Sequence, residues 1–502
     1  MIRRFCTAVL LFCLPVFSFS QIVTYSEPLK GDSRDLDFEI MGKVNGNLLV
    51  FKNTRSDYAI TAYDNQMKIK ETVALGFLPD KTFNVNFITY PDFIYLIYQY
   101  QKKKIVYCAA IKIDADAKVL TQPVTIDSTD IGNRDNKIYT AINSEDKQKI
   151  MIVKMQKQSS KLNLATVLLD NTLQSIKRSF QDFTYNDNKN VFDNFLVDND
   201  GDLVFTISSK LSNREYFNQL ALVTKSALAD TFSTKNIDLK EKYTDDIIAK
   251  IDNVNKHYIL TTFFYTEKRG NAQGIYAATY NKQNDSTISS SISFGDSVRL
   301  AVKKGGNKKE AFNDFAIKNM IIKKDGGYIL MAEDYYVQQS NGNGYNHLNR
   351  WDYFYNSLSM SPFGYNPYYY NPYNPYGFNN MQTTSYYYKN IFVVSIDKFG
   401  NPEWNNVLYK DQEDDISDNA LSYATFTTGG EIHLLFNELI KRKQVIIDNS
   451  LTANGEININ ANLNGLNKDY EFLPRFGKQV GAKQFIIPCT YRNSICFAKI
   501  DY

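Results

Sequence analysis

The feature that most constrains the fold is a short, strongly apolar segment that recurs along the chain. Most copies start about 46 to 56 residues apart, and one interval, of about 104 residues, is much longer. The copies are rich in Val, Ile, Tyr and Phe and are bounded by Gly, Asn or Asp, which is typical of β-strands between turns. The eight copies are NLLVF (47–51), FIYLIYQY (93–100), KIMIVKM (149–155), DLVFTIS (202–208), YILTTFFY (258–265), YILMAED (328–334), IHLLFNE (432–438) and QFIIPCTY (484–491).

A further strand is predicted after each apolar segment, so the repeated unit contains several strands. In each unit an inner strand comes first, the apolar segment second, this strand third and a more polar strand fourth. Several third strands end in Asp or Asn, as a strand that enters a tight turn often does. The third strands are YAITAYD (58–64), IVYCAAIKID (105–114), LNLATVLLD (162–170), QLALVTK (219–225), GIYAATYN (274–281), NIFVVSID (390–397), QVIIDNS (444–450) and SICFAKID (494–501).

The repeat predicts an all-β fold, an eight-bladed β-propeller with four-stranded antiparallel blades, formed by residues 21–502 as a single domain. Each blade takes about 53 residues once the insertion in the long interval is set aside, which is within the usual range. The eighth unit stops after its third strand, at Tyr502. IVTYSEP (22–28) precedes the first unit and is long enough to supply the missing strand. We therefore expect the N-terminal strand to close the last blade, because this leaves no open seam.

Part of the sixth unit resembles a known class of blade. DGGYILMAED (325–334), followed by IFVVSIDKFGNPEWNNVLY (391–409), is similar to the blades of secreted bacterial propeller-repeat proteins, including PQQ-like and related repeats. The other units match by strand spacing only. The resemblance implies the fold rather than an activity, and no PQQ site or other cofactor follows from it. The other units lack the repeated Gly and Trp pattern of quinoproteins, and Trp351 and Trp404 are the only tryptophans.

An outer-membrane β-barrel is the alternative architecture for an exported, Tyr-rich chain that ends in an aromatic residue. Barrel strands alternate apolar and polar residues over about ten positions. FIYLIYQY and YILTTFFY are apolar on both faces, as expected for strands that are covered by a neighbouring blade on each side. The pattern therefore favours the propeller.

Residues 1–20 have the pattern of a secretory signal peptide. Arg3 and Arg4 precede an apolar stretch from Ala8 to Phe17, and Ser20 ends the segment. The stretch is too short to span a bilayer and no later segment reaches 18 consecutive apolar residues, so no transmembrane helix is expected. We expect an exported protein, either periplasmic or at the cell surface.

The charge balance argues against one class of partner. Removal of Arg3 and Arg4 with residues 1–20 leaves a net charge of about +1. Nucleic-acid-binding proteins normally show a basic excess on the binding face, so no nucleic-acid partner is expected.

The cysteines of the exported chain are Cys108, Cys489 and Cys496. A two-residue loop at Arg492 and Asn493 would place Cys489 directly opposite Cys496 in a β-ladder, with Cα atoms about 4.5 to 5.5 Å apart, which is within disulfide range. In an exported protein we expect a Cys489–Cys496 disulfide, the alternative being two reduced, buried thiols. Cys108 lies in an apolar run and is expected to be a buried, inert thiol.

The long interval contains an insertion from Asp334 to Asn390 with an unusual composition. Its 57 residues include 14 Tyr, 11 Asn and 4 Pro, and it has three Asn-Pro-Tyr steps. Proline cannot donate to a β-ladder, so the insertion is expected to be an irregular or polyproline-like loop over one face of the propeller. Tyrosine stacks well on sugar rings and polypeptide, so the loop is either a contact surface or a low-complexity decoration packed on its own blade. The candidate contact residues are Trp351, Tyr365, Tyr368, Tyr369, Tyr370, Tyr373 and Tyr376.

A second candidate site comes from aligning the eight units. An Asp or Asn stands near the start of each inner strand, and these starts converge on one mouth of the central channel of a propeller. Such a ring of oxygen atoms suits a cation or a polar ligand, although Asp and Asn at these positions also cap turns through their own backbone. The ring comprises Asp37, Asn86, Asn136, Asp193, Asp246, Asp314, Asp418 and Asp469.

Motifs for metal binding and catalysis are scarce. Asp198, Asp200 and Asp202 alternate as in a calcium loop, but Leu203 stands where an EF-hand needs glycine, so a hairpin turn is expected there and no metal site. The sequence has only three histidines and no H-x-x-x-H, G-x-S-x-G or P-loop motif. The favoured function is an exported cell-envelope scaffold that binds a protein or glycan. The alternative is a carbohydrate-active enzyme, a glycosidase or lyase using Asp, Glu and Tyr.

Overall fold

The computed structural model describes most of the chain outside residues 1–20. The described ranges are 21–28, 38–54, 57–80, 82–131, 138–158, 160–186, 189–212, 215–303, 308–340, 345–348, 383–440, 443–459, 470–492 and 494–502.

The described strands form eight separate antiparallel sheets, which are the blades of a β-propeller. A short strand, β1 (Ile22–Tyr25), precedes them. Each of the first four blades has four strands in sequence order, from the inner strand to the outer strand. They are β2 (Phe38–Val44), β3 (Asn47–Thr54), β4 (Asp57–Tyr63) and β5 (Ile69–Ala74) in blade one; β6 (Thr82–Thr89), β7 (Ile94–Lys102), β8 (Ile105–Ile113) and β9 (Val124–Asp130) in blade two; β10 (Tyr139–Asn143), β11 (Lys149–Gln158), β12 (Lys161–Asp170) and β13 (Ser175–Thr184) in blade three; and β14 (Asn190–Val197), β15 (Leu203–Ser209), β16 (Gln219–Lys225) and β17 (Ser233–Ile237) in blade four.

The last four blades keep this plan, and blades five, six and eight have additions. The inner strand is in two pieces in blades five and eight, and blade six has two extra short strands. The strands are β18 (Tyr243–Thr244), β19 (Ile248–Asp252), β20 (His257–Tyr265), β21 (Gly274–Asn281) and β22 (Ser286–Ser293) in blade five; β23 (Phe315–Ile322), β24 (Tyr328–Ser340), β25 (Tyr345–Leu348), β26 (Thr383–Ile396), β27 (Pro402–Leu408) and β28 (Gln412–Asp414) in blade six; β29 (Tyr423–Thr428), β30 (Glu431–Ile440), β31 (Lys443–Leu451) and β32 (Ile457–Ile459) in blade seven; and β33 (Glu471–Phe472), β34 (Lys478–Gly481), β35 (Gln484–Tyr491) and β36 (Ser494–Asp501) in blade eight.

Helical structure is limited to three short elements in the described ranges. They are α1 (Asp296–Val302) and the 3-10 turns Lys308–Glu310 and Pro474–Phe476. None of the described helices is long and apolar enough to cross a membrane.

The eighth blade is closed by the N-terminal strand, as the sequence predicts. β1 pairs with β36 from Ile22 opposite Asp501 to Tyr25 opposite Ala498. Ser26 extends the pairing, because its N–H donates to the Phe497 carbonyl at 2.8 Å. The outer strand of the last blade therefore comes from the opposite end of the chain, which confirms the predicted closure.

The hydrophobic core is divided into layers between neighbouring blades. One layer joins Met41 and Leu49 of blade one to Leu96 of blade two, and equivalent layers lie between each following pair. The layer between blades eight and one, with Phe497 packed near Ile40, completes the ring. The second strands are apolar on both faces because each is covered by a layer on both sides.

Aspartates at the ends of third strands form the turns that the sequence predicts. The Asp64 carboxylate accepts the N–H groups of Gln66 at 2.8 Å and Lys68 at 2.9 Å. Met67, just before the end of this turn, has a φ of 61°. The carboxylates of three further aspartates also accept the N–H groups of the residues two and four positions later; they are Asp114, Asp170 and Asp397.

The predicted disulfide is absent. Cys489 and Cys496 are register partners, as expected, but both are free, buried thiols. The Leu473 N–H donates to the Pro488 carbonyl, on the side of β35 that faces away from β36. Backbone groups of successive residues in a strand point to opposite sides, so those of Cys489 point toward β36. Cys489 and Cys496 are therefore opposite each other at a position where the two backbones exchange hydrogen bonds. In such pairs the Cβ atoms are farther apart than the ~3.8 Å of a typical disulfide.

We expect all three thiols to be reduced and, because each is buried, shielded from reagents in the folded protein. Burial raises the pKa of Cys108 and of Cys489, which disfavours the reactive thiolate. A chain that begins at Gln21 should not react with a maleimide under native conditions without a reductant. After unfolding, mass spectrometry should show three modified cysteines, whereas a single modified cysteine would mean that the disulfide exists.

Candidate functional site

Two of the predicted sites share one face of the propeller. Because successive strands of a blade run in opposite directions, the blade-to-blade connections and the connections between second and third strands lie on one face, here called the connection face. The hairpins that join first to second and third to fourth strands lie on the other, the hairpin face. The insertion in blade six and the starts of the inner strands both belong to the connection face.

The base of the insertion is a β-structure, not the irregular loop that the sequence suggests. β24 and β26 continue beyond the blade and pair from Tyr335 opposite Tyr388 to Ser340 opposite Thr383. β25 pairs with β24, and β28 pairs with β26. We call residues 335–340, 345–348 and 383–388 the arm. Trp351, Tyr365, Tyr368, Tyr369, Tyr370, Tyr373 and Tyr376 lie outside the described residues.

The arm is anchored by its own small core and presents two stacked tyrosines. Tyr335, Val337 and Tyr388 are buried together against Leu421. On the other side of the same strands, the rings of Tyr336 and Tyr387 are stacked with centroids 4.6 Å apart and planes 13° apart, and both are half-buried. The arm therefore holds a flat aromatic surface on a supported backbone.

The predicted ring of Asp and Asn is only partly described, and its members differ in environment. Asp37, Asn136 and Asp469 lie outside the described residues. Asn86 is half-buried in the middle of β6, opposite Ile97. Asp193 is half-buried in β14, Asp246 is exposed just before β19, and Asp314 is half-buried just before β23.

Asp418 is a structural anchor in this arrangement. Arg475, in the 3-10 turn of blade eight, binds both of its carboxylate oxygens, each at 2.7 Å, and the Tyr388 hydroxyl donates to Oδ2 at 2.8 Å. Although burial opposes ionisation, Arg475 and Tyr388 hold the pKa of Asp418 below its usual range. The contact joins the arm of blade six to blades seven and eight.

A buried ion pair that the sequence analysis missed lies beside this anchor. Lys410 Nζ is 2.7 Å from Glu333 Oε1, and the side chains are 1% and 0% exposed. Ser422 Oγ donates to Glu333 Oε2 at 2.6 Å, and Lys410 also donates to Gln412 Oε1 at 2.9 Å. The sequence feature that could have indicated this ion pair is Glu333, an acidic residue near the end of the apolar segment YILMAED.

The connection face has two pairs of carboxyl groups, and within each pair the two groups repel each other. Burial, with repulsion from Asp314, raises the pKa of Asp334 to about 7. Burial raises the pKa of Asp193 to about 7 as well, with a contribution from Asp246. Asp193 accepts the N–H of Asn194 at 2.6 Å. Each pair thus contains one carboxyl that keeps its proton up to near-neutral pH, as a general acid requires.

We expect Asp334→Asn to stabilise the protein at high pH and to have little effect at low pH. The folded carboxyl keeps its proton until about pH 7, whereas the unfolded one loses it near pH ~4, so the free energy of unfolding falls as the pH rises through this window. The amide removes this cost, and urea unfolding at pH 8 should show a gain of about 2 kcal/mol. Asp411→Asn, at an exposed residue, is the control and should show no such pH-dependent gain.

The DNDGD segment forms a hairpin turn, as predicted, and a lysine supplies its cation. Gly201 has a φ of 90°, and Asp198 accepts the N–H groups of Asp200 and Asp202, each at 2.9 Å. Lys282 Nζ from blade five lies 2.5, 2.7 and 2.9 Å from carboxylate oxygens of Asp198, Asp200 and Asp202. Across the described residues, no group of three or more His, Cys, Asp or Glu side chains is arranged to hold a metal ion.

Comparison with known proteins finds distant structural similarity and no sequence family. No family model and no curated protein matches the sequence, so the resemblance to PQQ-like blades has no support in sequence. Prolyl oligopeptidase B from Galerina marginata is 9% identical with a TM-score of 0.41, over 94% of this chain and 55% of its own, so this chain spans about half of that protein. The polysaccharide lyase Uly1 is 9% identical over 83% of this chain and 89% of its own, with a TM-score of 0.39. An oligogalacturonate lyase in complex with manganese is 9% identical over 84% of this chain and 97% of its own, with a TM-score of 0.35.

Proposed function

We propose that this chain is an exported propeller of the cell envelope that binds a protein or glycan partner on its connection face, with the arm as the first contact. The observation that carries the proposal is the arm itself. The blade would be complete without it, yet its strands are anchored by buried contacts and hold Tyr336 and Tyr387 as a stacked, half-buried pair. A rigid aromatic surface suits sugar rings and polypeptide at low entropic cost.

The charges around the arm support a polar partner over an apolar one. Lys389 Nζ lies 5.1 Å from the centroid of the Tyr387 ring. Lys389 also pairs with Asp411. The tyrosine surface is therefore bordered by groups that donate or accept hydrogen bonds, as in many interfaces with an aromatic centre and a polar rim.

The first experiment replaces residues 341–382 by Asn-Gly. Ser340 and Thr383 are register partners, so a two-residue turn can join β24 to β26, and the replacement removes β25. The longer deletion of residues 340–388, which the sequence pattern suggests, would remove the buried Tyr388. The shortened chain should fold with an unchanged melting temperature, since long loops add little stability. Because Tyr336 and Tyr387 remain, affinity capture from envelope extracts and a glycan array should still recover the parent's partner, and loss of the partner would place the contact in residues 341–382.

A point substitution tests the tyrosine stack with a matched control. Tyr100 and Tyr107 form a similar stack, with centroids 5.1 Å apart, at the equivalent position of blade two on the opposite side of the ring. Tyr387→Ala should weaken partner binding about tenfold, whereas Tyr107→Ala should leave it unchanged. Equal losses in both variants, or none in either, would contradict a contact at the arm.

A carbohydrate-active enzyme is the second candidate, and the pairing of Asp314 with Asp334 beside the stacked tyrosines favours it. A carboxyl that keeps its proton beside a second carboxyl group is the arrangement that glycosidases use, and tyrosines form the walls of many sugar sites. The test is release of reducing ends from pooled polysaccharides. Activity that is lost in Asp334→Asn would establish the enzyme, and absence of activity in the parent would leave binding as the function.

A further inference from the structure

A hydroxyl, an imidazole and a carboxylate form a continuous row on the side of blade seven that faces blade eight. Thr428 Oγ1 is 2.9 Å from His433 Nε2. His433 Nδ1 is 2.9 Å from Asp448 Oδ1 and 3.1 Å from Oδ2. The three residues come from β29, β30 and β31, so the row crosses three adjacent strands, near the hairpin face and away from the arm.

The hydrogen bonds assign the proton positions in this row. A carboxylate only accepts, so His433 Nδ1 carries a proton that it donates to Asp448. In the neutral imidazole Nε2 is then an acceptor, and the Thr428 hydroxyl donates to it. Asp448 is 0% exposed and His433 is 5% exposed, so the polar row is shielded from water except at Thr428, which is half-buried.

Further contacts fix the imidazole and the carboxylate. The His433 ring is stacked on Phe426, with centroids 4.6 Å apart and planes 9° apart. The Tyr502 hydroxyl donates to Asp448 Oδ2 at 3.0 Å, and Gln21 Nε2 donates to the same oxygen at 3.4 Å. A base held in one orientation by a buried carboxylate is the arrangement that activates a hydroxyl nucleophile.

Thr428 is followed by an exposed turn of two glycines. Thr428 and Glu431 are register partners, and Gly429 and Gly430 between them have φ values of 57° and 93°, as in a type I′ turn. Both glycines are exposed, and a Cβ atom built on either would meet no atom within 4 Å. Their N–H groups belong to the turn that directly follows Thr428 and lie outside the register pairs of β29 and β30, so they are the backbone donors available to an oxyanion.

We propose that Thr428, His433 and Asp448 form a hydrolytic site for carboxylic esters, separate from the arm. Thr428 Oγ1 attacks the ester carbonyl carbon as its proton passes to His433 Nε2. The C–O bond to the alcohol then breaks, and Nε2 returns the proton to the leaving oxygen. Water attacks the acyl-threonine with Nε2 as base, releases the acid and restores the Thr428 hydroxyl. Asp448 is a positioning residue that holds the imidazole.

The test uses a fluorophosphonate probe and p-nitrophenyl acetate on the chain that begins at Gln21. The parent should be labelled on the peptide that contains Thr428 and should hydrolyse the ester. Thr428→Val and His433→Gln should lower hydrolysis about 100-fold and abolish labelling. Thr428→Ser, which keeps the hydroxyl, should retain both. Thr427→Val is the matched control, since Thr427 is exposed in the same strand and its side chain points to the opposite side of the sheet from that of Thr428. Tyr502→Phe, which removes a hydrogen bond to Asp448, reports on the structural role of the row.

The outcomes separate catalysis from a structural role. If the row only joins blades seven and eight, Thr428→Val and Tyr502→Phe will lower the melting temperature by similar amounts and no labelled peptide will contain Thr428. That result, or hydrolysis that Thr428→Val leaves unchanged, would overturn the proposal. Because the arm lies on the other face, neither result changes the expected binding by the arm.

Discussion

Deleting residues 22–28 will open the ring and destabilise the whole domain by about 5 kcal/mol. The deletion removes the ladder between β1 and β36 and both hydrogen bonds between Ser26 and Phe497. It also removes Tyr25, whose ring centroid lies 4.5 Å from that of Tyr470. The third strand of blade eight would then be an open edge, so the truncated chain should also be prone to association.

The measurement is urea unfolding followed by circular dichroism, together with light scattering. Ile22→Thr is the control, because Ile22 is 65% exposed and its backbone pairing survives the substitution. Its effect should stay within about 0.5 kcal/mol. A truncated chain that unfolds at the same urea concentration as the parent would show that the ring does not depend on this closure.

Lys410→Met will be the most destabilising single substitution at the base of the arm, with a loss of about 3–5 kcal/mol. It leaves the Glu333 carboxylate, which is fully buried, without its cation. Adding Glu333→Gln removes the unpaired charge, so the double variant should be more stable than the single one. The double-mutant cycle, measured by chemical denaturation, gives the coupling energy of the pair directly.

Lys389→Met provides the matched control for this prediction. Lys389 lies on the same strand as the arm and pairs with Asp411, whose side chain is 78% exposed. A solvated pair of this kind contributes less than about 1 kcal/mol. Similar losses in Lys410→Met and Lys389→Met would mean that burial does not govern the strength of the Glu333–Lys410 pair.

The architecture could be predicted from the sequence because it depends on local patterns that repeat. Apolar segments such as FIYLIYQY are buried on both faces, and this requires a covering layer on each side wherever they lie. The aspartates at the ends of third strands, such as Asp64 and Asp114, form their turns with residues two and four positions away. These contacts are short in sequence, so their residue types reveal them.

The arm shows where composition was misleading. Proline and asparagine dominate the middle of the insertion, and this composition suggested an irregular loop up to both ends. Tyr335–Ser340 and Thr383–Tyr388 instead pair as strands, because they continue ladders that the blade has already established. The strand pairing in the blade continues into the arm, and this outweighs the weak tendency of a polar, Tyr-rich segment to be irregular.

The number of blades, the order of their strands and the closure by residues 22–28 were determined by the sequence alone, because strand spacing and alternation are properties of consecutive residues. Only the tertiary structure decided which distant side chains meet. It paired Glu333 with Lys410, placed Lys282 among Asp198, Asp200 and Asp202, and aligned Thr428, His433 and Asp448 across three strands. It also left Cys489 and Cys496 unbonded. Residue spacing shows that the two cysteines are opposite each other, but only the strands paired on each side of β35 determine whether their backbones exchange hydrogen bonds at that position.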